Sequence, residues 1–150
     1  MIRASTVAEL EAALTFPDLL AEYAAESAIE GMPPPSAKME TYRVLNDMGA
    51  LHVLAAWAGD TLAGFITVLA AALPHYGRTV AVSESFFVAR AHRSTGAGLK
   101  LLHAAENKAR ELGSPGLLVS APYEGDLFKV LPRVGYAETN RVFFKKVSHE

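Results

Sequence analysis

Hydrophobic positions recur at helical spacing through the first fifty residues and at strand spacing after them. Thr6-Val7-Ala8-Glu9 has the form of a capping box, in which hydroxyl and carboxylate satisfy each other's backbone amides, and predicts a helix to about Thr15. Pro17 suits the first turn of a second helix carrying Leu19, Leu20, Tyr23, Ala24 and Ile29. Gly31 and the stiff run Pro33-Pro34-Pro35 stop it. Ser36 can cap a third helix, with Met39, Tyr42, Val44 and Leu45 at helical spacing and Gly49 at its end. From Leu51 the period changes. Leu51 to Ala58 reads as a strand, Gly59-Asp60 as a tight turn, and Thr61 to Leu73 as an almost wholly apolar strand buried on both faces. A loop, Pro74 to Arg78, leads to a third strand, Thr79 to Val88. A helix follows from about Gly96 to Leu112, with Leu99, Leu102, Ala105, Ala109 and Leu112 on one stripe. Gly113-Ser114-Pro115 ends it. Leu117 to Ser120 is a short strand, Asp126 to Val134 a short helix, and Tyr136 to Val147 a long closing strand after Gly135. No repeat or linker divides the chain, so residues 1–150 are expected to form a single domain of mixed α/β layers.

Composition narrows the class. Apolar residues are 51% of the 150, but twenty-six of them are alanine, leaving about a third of the chain as larger apolar residues, an ordinary globular share. The longest apolar run, Thr61 to Pro74, falls short of the ~20 residues of a spanning helix. Met1-Ile2-Arg3-Ala4-Ser5 lacks the layout of a secretory signal, so a cytoplasmic protein with no membrane association is expected. The absence of cysteine excludes disulfides, thiolate metal cages and a cysteine nucleophile. His52, His75, His92, His103 and His149 show no paired ligand spacing, and no metal is expected.

Charge adds an asymmetry. The net charge of −2 disfavours nucleic acid as a partner. Residues 1–75 carry three basic against nine acidic groups, a sum of −6, and residues 76–150 carry eleven against seven, a sum of +4. Solvated faces explain such a split, and so do two ligands of opposite sign, one per half.

The chemistry concentrates in Ser83-Glu84-Ser85-Phe86-Phe87-Val88-Ala89-Arg90-Ala91-His92-Arg93-Ser94-Thr95-Gly96-Ala97-Gly98, a strand entering a basic, glycine-containing loop and then a helix. The unpartnered amides and positive dipole end of the helix start suit phosphate, and Gly96 and Gly98 let a ligand approach the backbone. Arg93 adds a guanidinium fork. A dinucleotide fingerprint fails because Leu101 stands where a third small residue belongs. A nucleoside-triphosphate loop fails because Lys100 is followed by Leu101.

Arg93-x-x-Gly96-x-Gly98, preceded by Phe86-Phe87-Val88, resembles the acyl-CoA motif of the GNAT N-acetyltransferase superfamily, and Gly135-Tyr136 resembles the family's Gly-Phe or Gly-Tyr pair. The order of elements is similar over most of the chain. The resemblance implies a mixed, mostly antiparallel central sheet flanked by helices, with the acyl-CoA site at the strand–loop–helix junction. It implies that acetyl-CoA is the acyl donor. Its pyrophosphate would lie on Arg93, Ser94, Thr95, Gly96, Ala97 and Gly98, and its pantetheine arm would pair beside Phe87 and Val88. Glu84, four residues before the motif valine, takes the position of the family's general base. Strand alternation without a bulge would put it on one face with Phe86 and Val88.

One position departs from the family. Leu131 stands where the family's acid is a tyrosine, with Tyr123, Ser120 and Tyr76 as open substitutes. The expected activity is acetyl transfer from acetyl-CoA to a primary amine, small molecule or peptide, by direct attack in a ternary complex. The charge split points to a cationic acceptor gathered near Glu22, Glu26, Glu30 and Glu40. The rival reading, supported by Leu131, is a non-catalytic CoA-binding sensor or structural domain; a homodimer is among the assemblies open to either. The remaining aromatic and apolar signals read as structure: Trp57 and Phe65 as core, His75-Tyr76 as loop surface, and Phe143 to Lys146 as a strand end.

Overall fold

A computed structural model describes residues 1–32 and 39–149 of the chain. The proline run and the proposed Ser36 cap lie outside the described residues. The elements are β1 (Ile2–Ser5), α1 (Val7–Ala12), α2 (Phe16–Ser27), α3 (Met39–Asp47), β2 (Leu51–Ala58), β3 (Thr61–Leu73), β4 (Arg78–Val88), α4 (Ala97–Glu111), β5 (Leu117–Val119) and α5 (Asp126–Val130), with 3₁₀ turns at Arg90–Thr95 and Leu131–Val134. The five strands form one sheet in the order β1-β2-β3-β4-β5. The first three pairings are antiparallel and β4–β5 is parallel, giving the mixed, mostly antiparallel sheet that the family resemblance implies.

Helices cover both faces of the sheet. On one face Ala97, Leu101, Leu102, Ala105 and Ala109 of α4 pack on Ile66, Val68 and Ala81. On the other, Val7, Leu10, Phe16 and Leu19 of α1 and α2 pack on Val53, Trp57, Phe65 and Phe87. The continuous apolarity of β3 follows, because its alternate side chains enter two different cores. Thr6 caps α1 as its motif requires, accepting a bond from the Glu9 amide at 3.1 Å. No helix among the described residues is long and apolar enough to cross a membrane.

Four readings of the sequence need correction. β1 is a strand the periodicity does not reveal. Four residues are too short for a pattern, and pairing with β2 from Ile2↔Ala56 to Ser5↔Val53 supplies what propensity does not. The buried stripe of α4 contains Leu101, whereas Leu99 is 46% exposed. The helix starts with Ala97 against the sheet, and the residue one turn on from it is Leu101. The predicted helix to Val134 tightens into a 3₁₀ turn at Leu131, where Leu131 keeps α dihedrals but Pro132 has no N–H to donate to the carbonyl four residues back. Lastly, Tyr136 to Val147 forms no strand. The Tyr136 amide donates to the Leu131 carbonyl at 3.0 Å and its hydroxyl to Glu106 at 2.7 Å, and the residues after it join no ladder. Alternation alone does not make a strand without a partner edge, and β5 offers one of only three residues.

Candidate active site

The register of β3 and β4 slips by one residue in mid-strand. Thr67 lies opposite Ser85 and Val68 opposite Ser83, so Glu84 has no partner across the ladder. This is a β-bulge, and it re-aims the side chain. The buried Thr67 hydroxyl holds it, accepting from the Ser85 amide at 3.0 Å and lying 2.8 Å from the Ser85 hydroxyl. Past the bulge, Phe86 and Val88 pack toward α4, while Phe87 packs toward α2. Glu84 falls on the α2–α3 side with Phe87, not with Phe86 and Val88 as unbroken alternation predicts.

There Glu84 forms part of the wall of a cavity of about 440 Å³ between α1, α2, α3 and the sheet. The Tyr42 hydroxyl donates to Glu84 Oε2 at 2.7 Å. Burial, and then this bond to a carboxylate, hold the Tyr42 phenol well above its usual pKa, so it stays a donor wherever an amine titrates. Tyr23 stacks on Phe87, with ring centroids 5.1 Å apart. Burial raises its phenol too, against the opposing effect of the Phe86 amide beside its hydroxyl. Read by spacing alone, these two tyrosines look like core residues of amphipathic helices. The available signal was their chemistry, since a tyrosine facing a core needs a partner for its hydroxyl. None of Tyr76, Ser120 and Tyr123 lines this cavity. Tyr123 is 90% exposed, Tyr76 packs on His75 in the β3–β4 turn, and Leu131 is buried against α4.

At the end of β4 the sheet opens. β5 pairs only with Ala81 to Ser83, so from Glu84 onward the outer edge of β4 has no strand beside it. The Ala89 amide bonds the Ala63 carbonyl at 2.8 Å, and ladder alternation turns the amides and carbonyls of Phe86 and Val88 to that open edge. Beside it Gly96 turns the chain at φ +79°, a conformation that favours glycine and leaves the N-cap of α4 without a side chain, and the Ala97 amide makes only a long 3.4 Å bond to the Thr95 hydroxyl. A Cβ added at Gly98 would meet only Val88 Cγ2 at 3.7 Å, an ordinary contact, so the fold itself does not demand glycine there.

Arg93 lies between strand and helix. Its Nε donates to the Val88 carbonyl at 3.0 Å, its Nη2 to Glu26 at 2.7 Å, and its guanidinium covers Phe87 at 5.1 Å. That bond holds the Glu26 carboxyl below the usual carboxylate range. Glu22 accepts from the Arg90 amide at 3.1 Å. Two of the four carboxylates expected to gather an acceptor therefore fasten the loop to α2 instead. The arrangement fits a diphosphate on the uncapped helix start and an extended, amide-bearing arm along the open edge of β4.

A family model described as the acetyltransferase (GNAT) family matches residues 18–124. The chain belongs to the GNAT acetyltransferase family. Solved structures share the fold at low identity. A ribosomal-protein-alanine N-acetyltransferase from Brucella melitensis biovar Abortus 2308 superposes with a TM-score of 0.74 at 20% identity, covering 99% of each chain. An aminoglycoside acetyltransferase from an uncultured soil metagenomic sample, in complex with sisomicin, gives 0.72 at 19% identity, covering 99% of this chain and 96% of that one. AAC(6′)-Iy in complex with a bisubstrate analogue, CoA-S-monomethyl-acetylneamine, gives 0.74 at 20% identity, covering 99% and 98%. No curated protein matches this GNAT chain in sequence.

Proposed function

We propose that this GNAT protein transfers an acetyl group from acetyl-CoA to a primary amine in a ternary complex, with Glu84 as the base. The observation that carries the reading is the bulge, which turns the Glu84 carboxylate into the cavity at the start of the open edge of β4. Acetyl-CoA supplies the activated acyl thioester. The amides of the Arg93, Ser94, Thr95, Gly96, Ala97 and Gly98 segment hold its diphosphate, and the edge beside Phe87 and Val88 holds its arm. The outward amide of Val88 faces the thioester carbonyl and stabilises the negative charge that grows on its oxygen. In the cavity, Tyr42 fixes one oxygen of Glu84, leaving the other to receive the amine. The N–C bond forms as the C–S bond breaks. Of the two protons an ammonium loses in becoming an amide, one reaches the departing sulfur and one leaves through Glu84.

A second reading, CoA binding without turnover, has one observation in its favour: Leu131 is 8% exposed and packed in the core where the family's acid is a tyrosine. A thiolate leaves without a strong acid, its reference pKa being ~8.5, so the loss slows the reaction rather than forbidding it. Release of free thiol from acetyl-CoA on adding a primary amine separates the two readings. Glu84→Gln keeps the shape and removes the base. It is expected to lower kcat tenfold or more with acetyl-CoA affinity unchanged. Unchanged turnover across the pH range would move the role away from Glu84.

A further inference from the structure

We infer that the cavity selects a primary monoamine with an apolar alkyl or aryl body and discriminates against diamines and polyamines. This rests on the acetyl-transfer reading above and names its acceptor class. The cavity wall is apolar from four elements: Val7 and Leu10 of α1, Phe16 and Leu20 of α2, Met39 of α3 and Phe65 of β3. Its polar lining includes the hydroxyls of Tyr23, Tyr42 and Thr67, with Tyr42 bonded to Glu84 and Thr67 to its neighbour Ser85. Among the described lining residues Glu84 is the one carboxylate, and none carries a positive charge. One carboxylate in a wall otherwise of hydrocarbon and hydroxyl groups is the complement of an ammonium on an apolar body.

A second ammonium would lie among Leu10, Phe16 and Leu20 without a counter-charge. Removing a charge from water without a partner costs more than the contact returns. The acidic residues of α2 do not supply that partner. Glu22 is bonded to the Arg90 amide at 3.1 Å and Glu26 to Arg93 at 2.7 Å, both on the loop. The charge of the N-terminal half thus serves in part to fasten the donor loop, and the acceptor is recognised by shape and a single ion pair.

The test uses the full chain, acetyl-CoA and four amines: hexylamine, 2-phenylethylamine, 1,6-diaminohexane and spermidine. Hexylamine and 1,6-diaminohexane share their chain length and differ by one terminal ammonium. Thiol release should give a kcat/KM for hexylamine at least tenfold above that for the diamine, with 2-phenylethylamine on the same side. Leu20→Glu places a second carboxylate at a partly exposed position of the apolar wall and should shift the ratio at least tenfold toward the diamine, whereas Leu20→Gln should not. Equal or better turnover of 1,6-diaminohexane or spermidine by the unmodified protein would overturn the acceptor class and leave amine acetylation standing. No thiol release with any of the four amines would overturn the acceptor class, and none with a peptide N-terminus or an aminoglycoside either, from protein that acetyl-CoA still stabilises against heat, would overturn the transfer reading with it.

Discussion

On the α4 side of the sheet, Ala97, Ala105 and Ala109 bring the helix down onto Ile66, Val68 and Ala81, and Leu101 and Leu102 fill the remaining space. On the opposite side, aromatic rings separate the helices from the strands. Phe16 and Tyr23 meet Phe65 edge-on at 6.3 and 6.2 Å, Tyr23 stacks on Phe87, and a cavity of about 440 Å³ remains. The same strands serve both sides. Small residues close one face, and large, directional ones leave room beside the other. The bulge at Glu84 adds a carboxylate to the open face without disturbing the closed one. Stability and chemistry are therefore separable by face, and substitutions on the two sides should differ in kind.

The largest effect is expected on the closed face. Leu101 is 0% exposed, and Leu101→Ala leaves a cavity under α4 that the alanine-lined contact is poorly able to fill by collapse. A loss of about 2–5 kcal/mol in denaturant unfolding is expected. Below its unfolding transition the variant should keep the wild-type acceptor preference, because Leu101 does not line the cavity. A changed preference would show that the two faces are coupled.

At the border between the faces, Gly98 separates fold from ligand. Alanine at 98 adds only the 3.7 Å contact with Val88 Cγ2 and is a better helix former, so Gly98→Ala should leave the free protein as stable or up to about 1 kcal/mol more stable. In the proposed binding mode the same methyl group stands where the diphosphate approaches the backbone. Wild-type protein at 100 times its Kd for CoA should gain about 2.7 kcal/mol, and the variant at the same CoA concentration should gain far less. Equal thermal shifts for both would place the diphosphate elsewhere.

The closed face was more legible in the sequence than the open one. β2 and β3 run from Leu51 to Ala58 and from Thr61 to Leu73, the bounds their apolar pattern and the Gly59-Asp60 turn predict, because burial acts on every residue of such strands. The Arg93-to-Gly98 junction was legible because it is local, its spacing set by one turn and one helix start. The bulge was not. A single unpaired residue becomes visible only when the partner strand is known, and the Thr67–Ser85 pair that holds it spans 18 residues. For the same reason Tyr23 and Tyr42 read as helix-face residues, and their approach to Glu84 is a fact of tertiary structure. The tail after Tyr136 erred in the other direction, with strand alternation but no strand beside it.

The smallest expected effect tests the clamp joining α2 to the loop. Glu26 and Arg93 are each about one-third exposed, at 34% and 32%, so solvent and salt screen their 2.7 Å bond, which is worth under about 1 kcal/mol. Arg93 lowers the folded-state pKa of Glu26 below its ordinary value of 4.5. A depressed carboxylate contributes stability that is full above the unfolded-state value and is lost as pH falls through the folded-state one. Glu26→Gln removes that contribution. The stability gap between wild type and variant should be constant above about pH 6 and should narrow steadily below pH 4.5. At neutral pH the variant should also bind CoA somewhat more weakly, because Arg93 then holds the Val88 carbonyl without its anchor on α2. A gap that stays the same down to pH 3 would mean the pair adds nothing to folding, and unchanged CoA affinity would release α2 from any part in shaping the donor loop.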